Sequence, residues 1–251
     1  MNTKIEKLAD LIKQSKYTVF FGGAGVSTES GISDFRSESG LYTAQKNYGY
    51  SPEKLLSNYF FTEKPDLFFR YYKENLIAKN AKPNKAHIAL TKLESMNLLK
   101  TIITQNIDGL HQSAESQNVL ELHGSNFNHY CIKCKEKYTL EYTLNLAHCK
   151  DDVIPICEKC GGIVRPDVVL YGENLDTKVF NAAKKEIASA ELLIVGGTSL
   201  IVNPAARLIE YFSSENIVLI NKTETLYNNI AKLVIYNSIG ETMSSIIEIL
   251  S

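Results

Sequence analysis

Four of the five cysteines in this chain form two closely spaced pairs. Cys131 and Cys134 form one C-x2-C pair, and Cys157 and Cys160 form a second pair after 22 intervening residues. A C-x2-C turn supplies two thiolates from one tight loop, so two such turns can complete the tetrahedral shell of a zinc ion. Because four thiolates leave no open coordination position, we predict one structural zinc, with Cys149 left as a free thiol. The alternative, a chance coincidence of four thiols, is disfavoured by the spacing.

A glycine-rich turn follows the first β-prone run at 17–21. It consists of Gly23, Ala24 and Gly25. Glycines here would let the backbone approach a phosphate, although the third glycine of the dinucleotide fingerprint is missing and an ordinary tight turn also fits. Asp34, Phe35 and Arg36 follow, and these residue types can bind a ribose hydroxyl, stack on a ring and pair with a phosphate. The alternative is a solvated loop.

The composition narrows the class of protein. The chain has 251 residues, 44% of them hydrophobic, and its 27 basic and 28 acidic side chains give a formal net charge of −1. This balance excludes wholesale disorder and argues against a general nucleic-acid-binding protein. The first residues lack the apolar core of a secretory signal, and no apolar run approaches the ~20 residues that span a bilayer. We therefore expect a soluble, cytoplasmic protein with no membrane partner and no specific nucleic-acid partner.

Short β-prone runs alternate with amphipathic helical patterns along most of the chain. The predicted strands lie at 17–21, 101–104, 119–122, 192–195, 217–220 and 233–236. The predicted helices include 4–15, 86–96, 178–189 and 204–212. This alternation predicts an α/β fold with a doubly wound, Rossmann-like parallel sheet that is covered on both faces.

Two segments do not fit the alternation and predict a smaller inserted domain. Residues 41–80 are rich in aromatic side chains and predict a helical insertion, and residues 129–162 contain all five cysteines. We therefore predict a discontinuous Rossmann-like domain formed by 1–40, 81–128 and 163–251, with the helical insertion and the zinc-binding module forming the small domain.

Beyond these patterns, the sequence resembles the sirtuin family of NAD-dependent protein deacylases over nearly its whole length. The resemblance rests on ordered motifs around the two cysteine pairs. They are G-A-G-V-S at 23–27 with G-I-S-D-F-R at 31–36, T-Q-N-I-D-G-L-H at 104–111, L-H-G at 122–124, R-P-D-V-V-L-Y-G-E at 165–173, G-T-S-L at 197–200 with Val202 and Pro204, and Ile220-Asn221. Gly22 and Ser33 stand where many members carry threonine and proline.

The resemblance implies an enzyme of bacterial type that uses NAD as a co-substrate. In the family, the acyl group of an acylated lysine in a protein or peptide passes to ADP-ribose, which releases nicotinamide and, from acetyl-lysine, 2'-O-acetyl-ADP-ribose. Carried over to this sequence, His123 is the general base and Asn106 the second catalytic residue. A histidine with an unperturbed pKa of ~6.5 suits the role, because it is largely neutral at cytosolic pH.

The resemblance also implies the residues that bind the two substrates. Those for NAD are Gly23, Ala24, Gly25, Asp34, Phe35, Arg36, Gln105, Asn106, Ile107, Asp108, Gly197, Thr198, Ser199, Asn221, Lys222 and Ile239. The acylated peptide would add as a strand beside Val168, Tyr171, Gly172 and Glu173, with Tyr72 in the acyl pocket.

The acyl preference follows from one position near Tyr72. Family members that prefer succinyl- or malonyl-lysine carry a tyrosine followed three residues later by an arginine, and here Tyr72 is followed by Asn75. Without that arginine an acyl carboxylate has no partner, unless Arg70 or Lys73 substitutes. We therefore expect acetyl-lysine first, with longer or acidic acyl groups as the alternative.

Three other functions compete with deacylation. A mono-ADP-ribosyltransferase would use the same NAD site, and the sequence does not separate the two reactions. A zinc-ribbon nucleic-acid module is suggested by Lys133, Lys135 and Lys137, although Glu136 and Glu141 interrupt these charges. A Rossmann dehydrogenase is disfavoured because the third glycine of its fingerprint is missing.

Overall fold

The computed structural model of the chain describes residues 3–32 and 38–251. The helices are α1 (Thr3–Gln14), α2 (Glu38–Tyr48), α3 (Pro52–Leu55), α4 (Asn58–Glu63), α5 (Pro65–Asn75), α6 (Lys85–Ser95), α7 (Leu110–Ser113), α8 (Leu140–Leu144), α9 (Thr177–Ser189) and α10 (Ile239–Leu250). The strands are β1 (Thr18–Gly22), β2 (Thr101–Thr104), β3 (Val119–Glu121), β4 (Gly124–Cys131), β5 (Lys137–Thr139), β6 (Cys149–Lys150), β7 (Ile154–Pro155), β8 (Val164–Val168), β9 (Leu192–Gly196), β10 (Ile217–Asn221) and β11 (Leu233–Tyr236). Short 3-10 helices lie at Ala24–Val26, Thr28–Ser30, Leu146–His148, Ala205–Tyr211 and Asn228–Ile230.

Six parallel strands form the main sheet in the order β11-β10-β9-β1-β2-β3. From β1 the chain builds outward to β3 on one side, then returns to the other side of β1 with β9 and continues to β11. The central strands β1 and β9 are buried at every position, as expected for strands covered on both faces. The predicted α/β, doubly wound, Rossmann-like sheet is confirmed.

Apolar clusters cover both faces of this sheet. One face packs against α1, α6 and α10, whose buried side chains include Leu8, Leu90 and Met243. The other face packs against α9 and the 3-10 helix at Ala205–Tyr211. Burying a large apolar side chain contributes about 1.5–3 kcal/mol, so these layers hold the loops at the strand ends in place.

The predicted strands and helices lie within a residue or two of the observed ones, with one difference in type. The helix predicted at 204–212 is a 3-10 helix at Ala205–Tyr211. Its bonds include those from the Arg207 N–H to the Pro204 carbonyl and from the Phe212 N–H to the Ile209 carbonyl, which span three residues. Apolar periodicity alone does not distinguish this tighter helix from an α-helix.

The segments outside the main sheet form the smaller part of the molecule. Helices α2 to α5 enclose an aromatic cluster that includes Phe61, Phe68 and Tyr72. An antiparallel sheet in the order β5-β4-β8 and a hairpin of β6 and β7 carry the cysteine region. Strands β4 and β8 pair from Gly124 with Val168 at one end to Cys131 with Val164 at the other. These strands therefore extend on both sides of residues 129–162, the range predicted for the zinc module. The division into domains stays a prediction.

Among the described helices, none combines the length and apolar character that crossing a membrane requires.

Candidate active site

A cavity of about 240 Å³ opens at the carboxyl ends of β1, β2 and β9. The strand order reverses between β1 and β9, and in doubly wound sheets the crevice at this reversal is where dinucleotides bind. The predicted site residues that line the cavity are Ala24, Gln105, Asn106, Ile107, Asp108, His123, Val168, Tyr171, Gly172, Glu173, Gly197, Thr198 and Ser199. The fold therefore collects in one place residues that are spread over most of the sequence.

The turns after β1 and β9 pack backbone to backbone at one side of the cavity. The Gly25 N–H donates to the Gly197 carbonyl at 2.8 Å. A Cβ at Gly25 would lie only 2.7 Å from the Gly197 Cα, so a side chain here would force the two turns apart. Gly23 lies in the same turn, and its N–H donates to the Gly196 carbonyl at 3.3 Å. This close packing brings the backbone of both turns to the cavity, as a bound diphosphate requires.

Side chains join the turn after β1 to the loop after β2. The Ser27 hydroxyl donates to Asp108 Oδ2 at 2.7 Å and accepts from Asn106 Nδ2 at 3.0 Å. Asn106 Nδ2 also donates to the Gly23 carbonyl at 3.1 Å, and Asp108 Oδ1 accepts from the Leu110 N–H. Ser27 therefore orients both Asn106 and Asp108. Sequence reasoning did not include it among the site residues, although the serine that closes G-A-G-V-S was the available signal.

His123 enters the cavity with a defined tautomer. Its Nδ1 lies 2.8 Å from the Gln105 carbonyl oxygen, which can only accept, so Nδ1 carries a hydrogen and Nε2 is the basic nitrogen of the neutral ring. Gly124 follows with φ of +76°, and a Cβ there would lie 2.0 Å from the Asp167 carbonyl oxygen. Only glycine fits this turn, which links the histidine directly to the antiparallel sheet.

One wall of the cavity, the wall segment (residues 168–173), is held by a largely buried ion pair. Arg165 donates to the two carboxylate oxygens of Glu173 at 2.6 and 3.0 Å, and the Leu170 N–H donates to the same group at 2.9 Å. Burial opposes ionisation of Glu173, but the bonds from Arg165 and Leu170 prevail and lower its pKa. Glu173, predicted to bind substrate, thus directs its carboxylate to the wall segment itself.

Six predicted residues within the described ranges are not part of the cavity lining. Two of them, Gly23 and Gly25, belong to the turn after β1 described above, and the other four lie elsewhere in the chain. The Ile239 side chain is 2% exposed and belongs to the core of the main sheet, and its contact with adenine stays a prediction. Lys222 is exposed after β10, and Asn221 Nδ2 donates to the Thr198 carbonyl at 3.4 Å, beside the turn after β9. Tyr72 is fully buried in the aromatic cluster. Three further residues, Asp34, Phe35 and Arg36, lie outside the described residues.

Tyr72 is linked to the cavity through a neighbour that sequence reasoning missed. Its hydroxyl donates to Asn126 Oδ1 at 3.0 Å and lies 3.3 Å from His129 Nε2, and Asn126 lines the cavity. Asn126 also donates to the Leu76 carbonyl at 2.8 Å. No motif or spacing in the sequence singled out Asn126, because its partners Leu76 and Tyr72 lie 50 and 54 residues away in the sequence.

The four paired cysteines converge as a metal site requires. Their Sγ atoms all lie within 4.8 Å of one another, with 3.5 Å between Cys131 and Cys160 and 3.6 Å between Cys134 and Cys157. A tetrahedral zinc with Zn–S bonds of ~2.3 Å sets its sulfurs ~3.8 Å apart, so these residues fit one ion. Four protein ligands close the shell, which is the structural type of site.

Comparison with known proteins agrees with this geometry. Residues 23–204 match the model of the Sir2 family. An NAD-dependent protein deacetylase from Clostridium acetobutylicum is 52% identical over 97% of this chain and 98% of its own length. A substituted Sir2 protein with a deacetylated p53 peptide and 3'-O-acetyl-ADP-ribose superposes with a TM-score of 0.89, at 38% identity and 98% coverage of both chains. A Sir2 complex with a p53 peptide and NAD+ superposes with a TM-score of 0.87, at 37% identity and the same coverage. A family match over this much of the chain, joined to a shared fold and shared motifs, makes the protein a member of the Sir2 family.

Proposed function

We propose that the chain is an NAD-dependent protein-lysine deacetylase, which transfers the acetyl group of acetyl-lysine to ADP-ribose and releases nicotinamide. The main observation behind this proposal is that His123, Asn106 and Asp108 line one cavity, at the point where the strand order of the main sheet reverses. The deacetylase name of the Clostridium relative and the Sir2 complexes with NAD+ and p53 peptide support the same reaction.

The residues present fit NAD, which supplies a ribose carbon with nicotinamide as the leaving group. The turns after β1 and β9 offer backbone N–H groups to its diphosphate, and Gln105 lies beside Thr198 with 3.2 Å between Nε2 and Oγ1. Asn106 and Asp108, oriented by Ser27, would hold the nicotinamide carboxamide. The paired cysteines would hold a structural zinc outside this cavity.

His123 serves as the base of the proposed reaction. Because its Nδ1 hydrogen is directed to the Gln105 carbonyl, the basic Nε2 is oriented to receive a proton from a ribose hydroxyl. The His123 carbonyl also accepts from the Val169 N–H at 2.9 Å, so the base and the wall segment are fixed relative to each other. Base and substrate wall therefore keep one geometry, which proton transfer needs.

The acylated peptide would lie between two segments that line the same cavity. The wall segment forms one of them, and Val202 and Asn203 belong to the other. A peptide strand placed between them would direct an acyl-lysine side chain into the cavity, as in strand-addition binding.

The described lining favours a neutral acyl group. It contains no lysine or arginine within the described ranges. Arg70 is exposed on α5, and Lys73 Nζ lies 3.3 Å from Cys149 Sγ, so neither reaches the cavity to substitute for the missing arginine. We expect faster turnover on an acetyl-lysine peptide than on its succinyl-lysine counterpart. Faster removal of the succinyl group would contradict this.

The test of the proposed function is a product analysis with NAD and an acetylated peptide. We expect free nicotinamide, deacetylated peptide and acetyl-ADP-ribose in equal amounts, as measured by mass spectrometry. Attachment of ADP-ribose to the peptide or to the protein would instead indicate a mono-ADP-ribosyltransferase. We also propose a cytoplasmic location, since unpaired cysteine thiols are kept reduced in that compartment.

A further inference from the structure

Asn84, outside every motif used above, joins helix α6 to the turn that follows β1. Its Oδ1 accepts from the Ala86 N–H at 2.8 Å and so caps the helix. Its Nδ2 donates to the Val26 carbonyl at 2.8 Å and to the Ser30 hydroxyl at 2.9 Å, across 58 and 54 residues of sequence. One carboxamide thus fixes a helix end and a distant loop together.

Along residues 24–32, the two residues that Asn84 binds are interspersed with residues that line the cavity. Ala24, Ser27 and Ile32 line the cavity, whereas Val26 and Ser30 face the amide of Asn84. Asn84 itself is not part of the lining. The turn is therefore held from the cavity side through Ser27 and from the opposite side through Asn84.

We propose that Asn84 is a positioning residue for NAD, which acts by holding residues 24–30 at the correct distance from the turn after β9. The inference rests on the proposed function, because it assumes that NAD occupies this cavity. The Gly25 N–H is already bonded to the Gly197 carbonyl at 2.8 Å and anchors the turn, so a small displacement of the turn would move the adjoining backbone of Ala24, which lines the cavity where the diphosphate would lie. The peptide wall lies in a different segment and does not depend on Asn84 for its contacts.

Two substitutions separate this role from helix capping. Asn84→Ser keeps a good N-cap residue, but its side chain is too short to reach Val26 and Ser30. Asn84→Asp keeps the cap and can accept from the Ser30 hydroxyl, but it sets a carboxylate oxygen against the Val26 carbonyl oxygen. Asp176→Ala, which removes the N-cap of α9 on the opposite face of the sheet, is the matched control for lost capping alone.

The experiment measures the KM for NAD, the KM for acetylated peptide and the melting temperature of each variant, with the Kd for NAD by calorimetry. For both Asn84 variants we expect the KM and Kd for NAD to rise about tenfold, with the peptide KM changed less than twofold and the melting temperature reduced by no more than in Asp176→Ala. The control should lose thermal stability without losing NAD affinity.

Unchanged NAD affinity in Asn84→Ser would overturn the inference, and so would a parallel rise of both KM values. Failure of this inference and failure of the proposed function give different experimental results. A wild-type protein that binds NAD without deacetylating peptide refutes the proposed reaction, while the Kd comparison still decides the role of Asn84. A wild-type protein that does not bind NAD refutes both.

Discussion

At the scale of single residues, the polar groups of the site are oriented by fixed partners. His123 is oriented by a backbone carbonyl, and Asn106 and Asp108 are both oriented by Ser27. Such partners fix tautomers and rotamers before any ligand arrives, which lowers the entropic cost of reaching a reactive geometry. Changes at this scale should therefore affect chemistry more than folding.

The His123 side chain is expected to be essential for turnover. Replacing it as His123→Ala removes the proposed base, and general base catalysis commonly contributes about 10²–10⁴-fold. We expect deacetylation to fall by at least about 100-fold, while the circular dichroism spectrum and zinc content stay unchanged. Near-normal turnover on acetylated peptide would refute the assignment.

His111 is expected to make the protein less stable in acid. The side chain is 1% exposed on α7, and neither ring nitrogen finds a hydrogen-bond partner among the described residues. Burial lowers its pKa to about 3, whereas the unfolded chain binds the proton near its ordinary value of ~6.5. Between these values the unfolded state holds more protons, so stability is lost as the pH falls, by up to about 1.4 kcal/mol per pH unit.

The variant His111→Leu isolates this contribution, because no hydrogen bond is lost with the ring. Urea unfolding at a series of pH values from 6 to 4 gives the free energy of unfolding as a function of pH. The slope of this dependence should be smaller for His111→Leu than for the wild-type protein, by about 1.4 kcal/mol per pH unit. Any acid-induced release of zinc affects both proteins alike. Equal slopes would show that His111 is protonated in the folded state.

At the scale of elements, the site is made of loops whose positions are set by the strands they follow. The turns after β1, β2 and β9 meet because these strands are adjacent and parallel. The wall segment follows β8, which belongs to the antiparallel sheet, so its position depends on a separate set of contacts. Arg165 and Glu173 supply one of those contacts, and the bond from the Val169 N–H to the His123 carbonyl supplies another.

Glu173→Gln is expected to weaken peptide binding more than NAD binding. The change leaves Arg165, whose side chain is 7% exposed, without its counter-ion, and hydrogen bonds to charged groups contribute about 1.5–3 kcal/mol each. We expect the KM for acetylated peptide to rise about tenfold and the KM for NAD to change by less than about twofold.

The same substitution at Glu210 is the matched control for Glu173→Gln. Glu210 pairs with Arg207, but both side chains are at least half exposed, and such pairs contribute about 0–1 kcal/mol. Glu210→Gln should leave both KM values unchanged. Equal effects of the two substitutions, or a larger effect of Glu173→Gln on the KM for NAD, would contradict the role of the ion pair in the wall segment.

At the scale of the whole molecule, the cysteine site and the cavity are connected through the antiparallel sheet. Cys131 ends β4, Cys160 lies shortly before β8, and these two strands pair from Cys131 and Val164 to Gly124 and Val168. The far end of this ladder is the histidine turn and the wall segment. A metal that holds one end of the ladder would therefore support the wall segment at the other end.

Metal analysis is expected to find about one zinc per chain, and its removal should abolish deacetylation. Structural zinc binding contributes about 10–16 kcal/mol in small modules, and this free energy becomes folding energy. We expect Cys157→Ser to lose zinc, to disorder the antiparallel sheet and to retain more NAD affinity than deacetylase activity. A metal-free protein that is folded and fully active would refute the structural role.

Much of the fold could be predicted from local patterns. The positions of the six main-sheet strands, their alternation with helices and the pairing of four cysteines depend on spacings of a few residues, and the structure reproduces them, whereas strands β4 to β8 were not predicted. The motifs likewise mark most of the cavity lining. The burial of the Tyr72 and Ile239 side chains was not predictable in this way, because a motif assigns a position in the chain and not the direction in which a side chain points.

The fold class and the four metal ligands follow from local spacing and residue type, and the family motifs mark the segments proposed to carry chemistry. Three contacts appear only in the folded chain: Ser27 with Asp108 across 81 residues, Glu173 with Arg165, and Asn84 with the turn after β1. Those contacts follow from strand order and from the packing of separate layers. Strand order and layer packing produce no periodic pattern in the sequence, because many different pairings of the same strands satisfy the same local preferences.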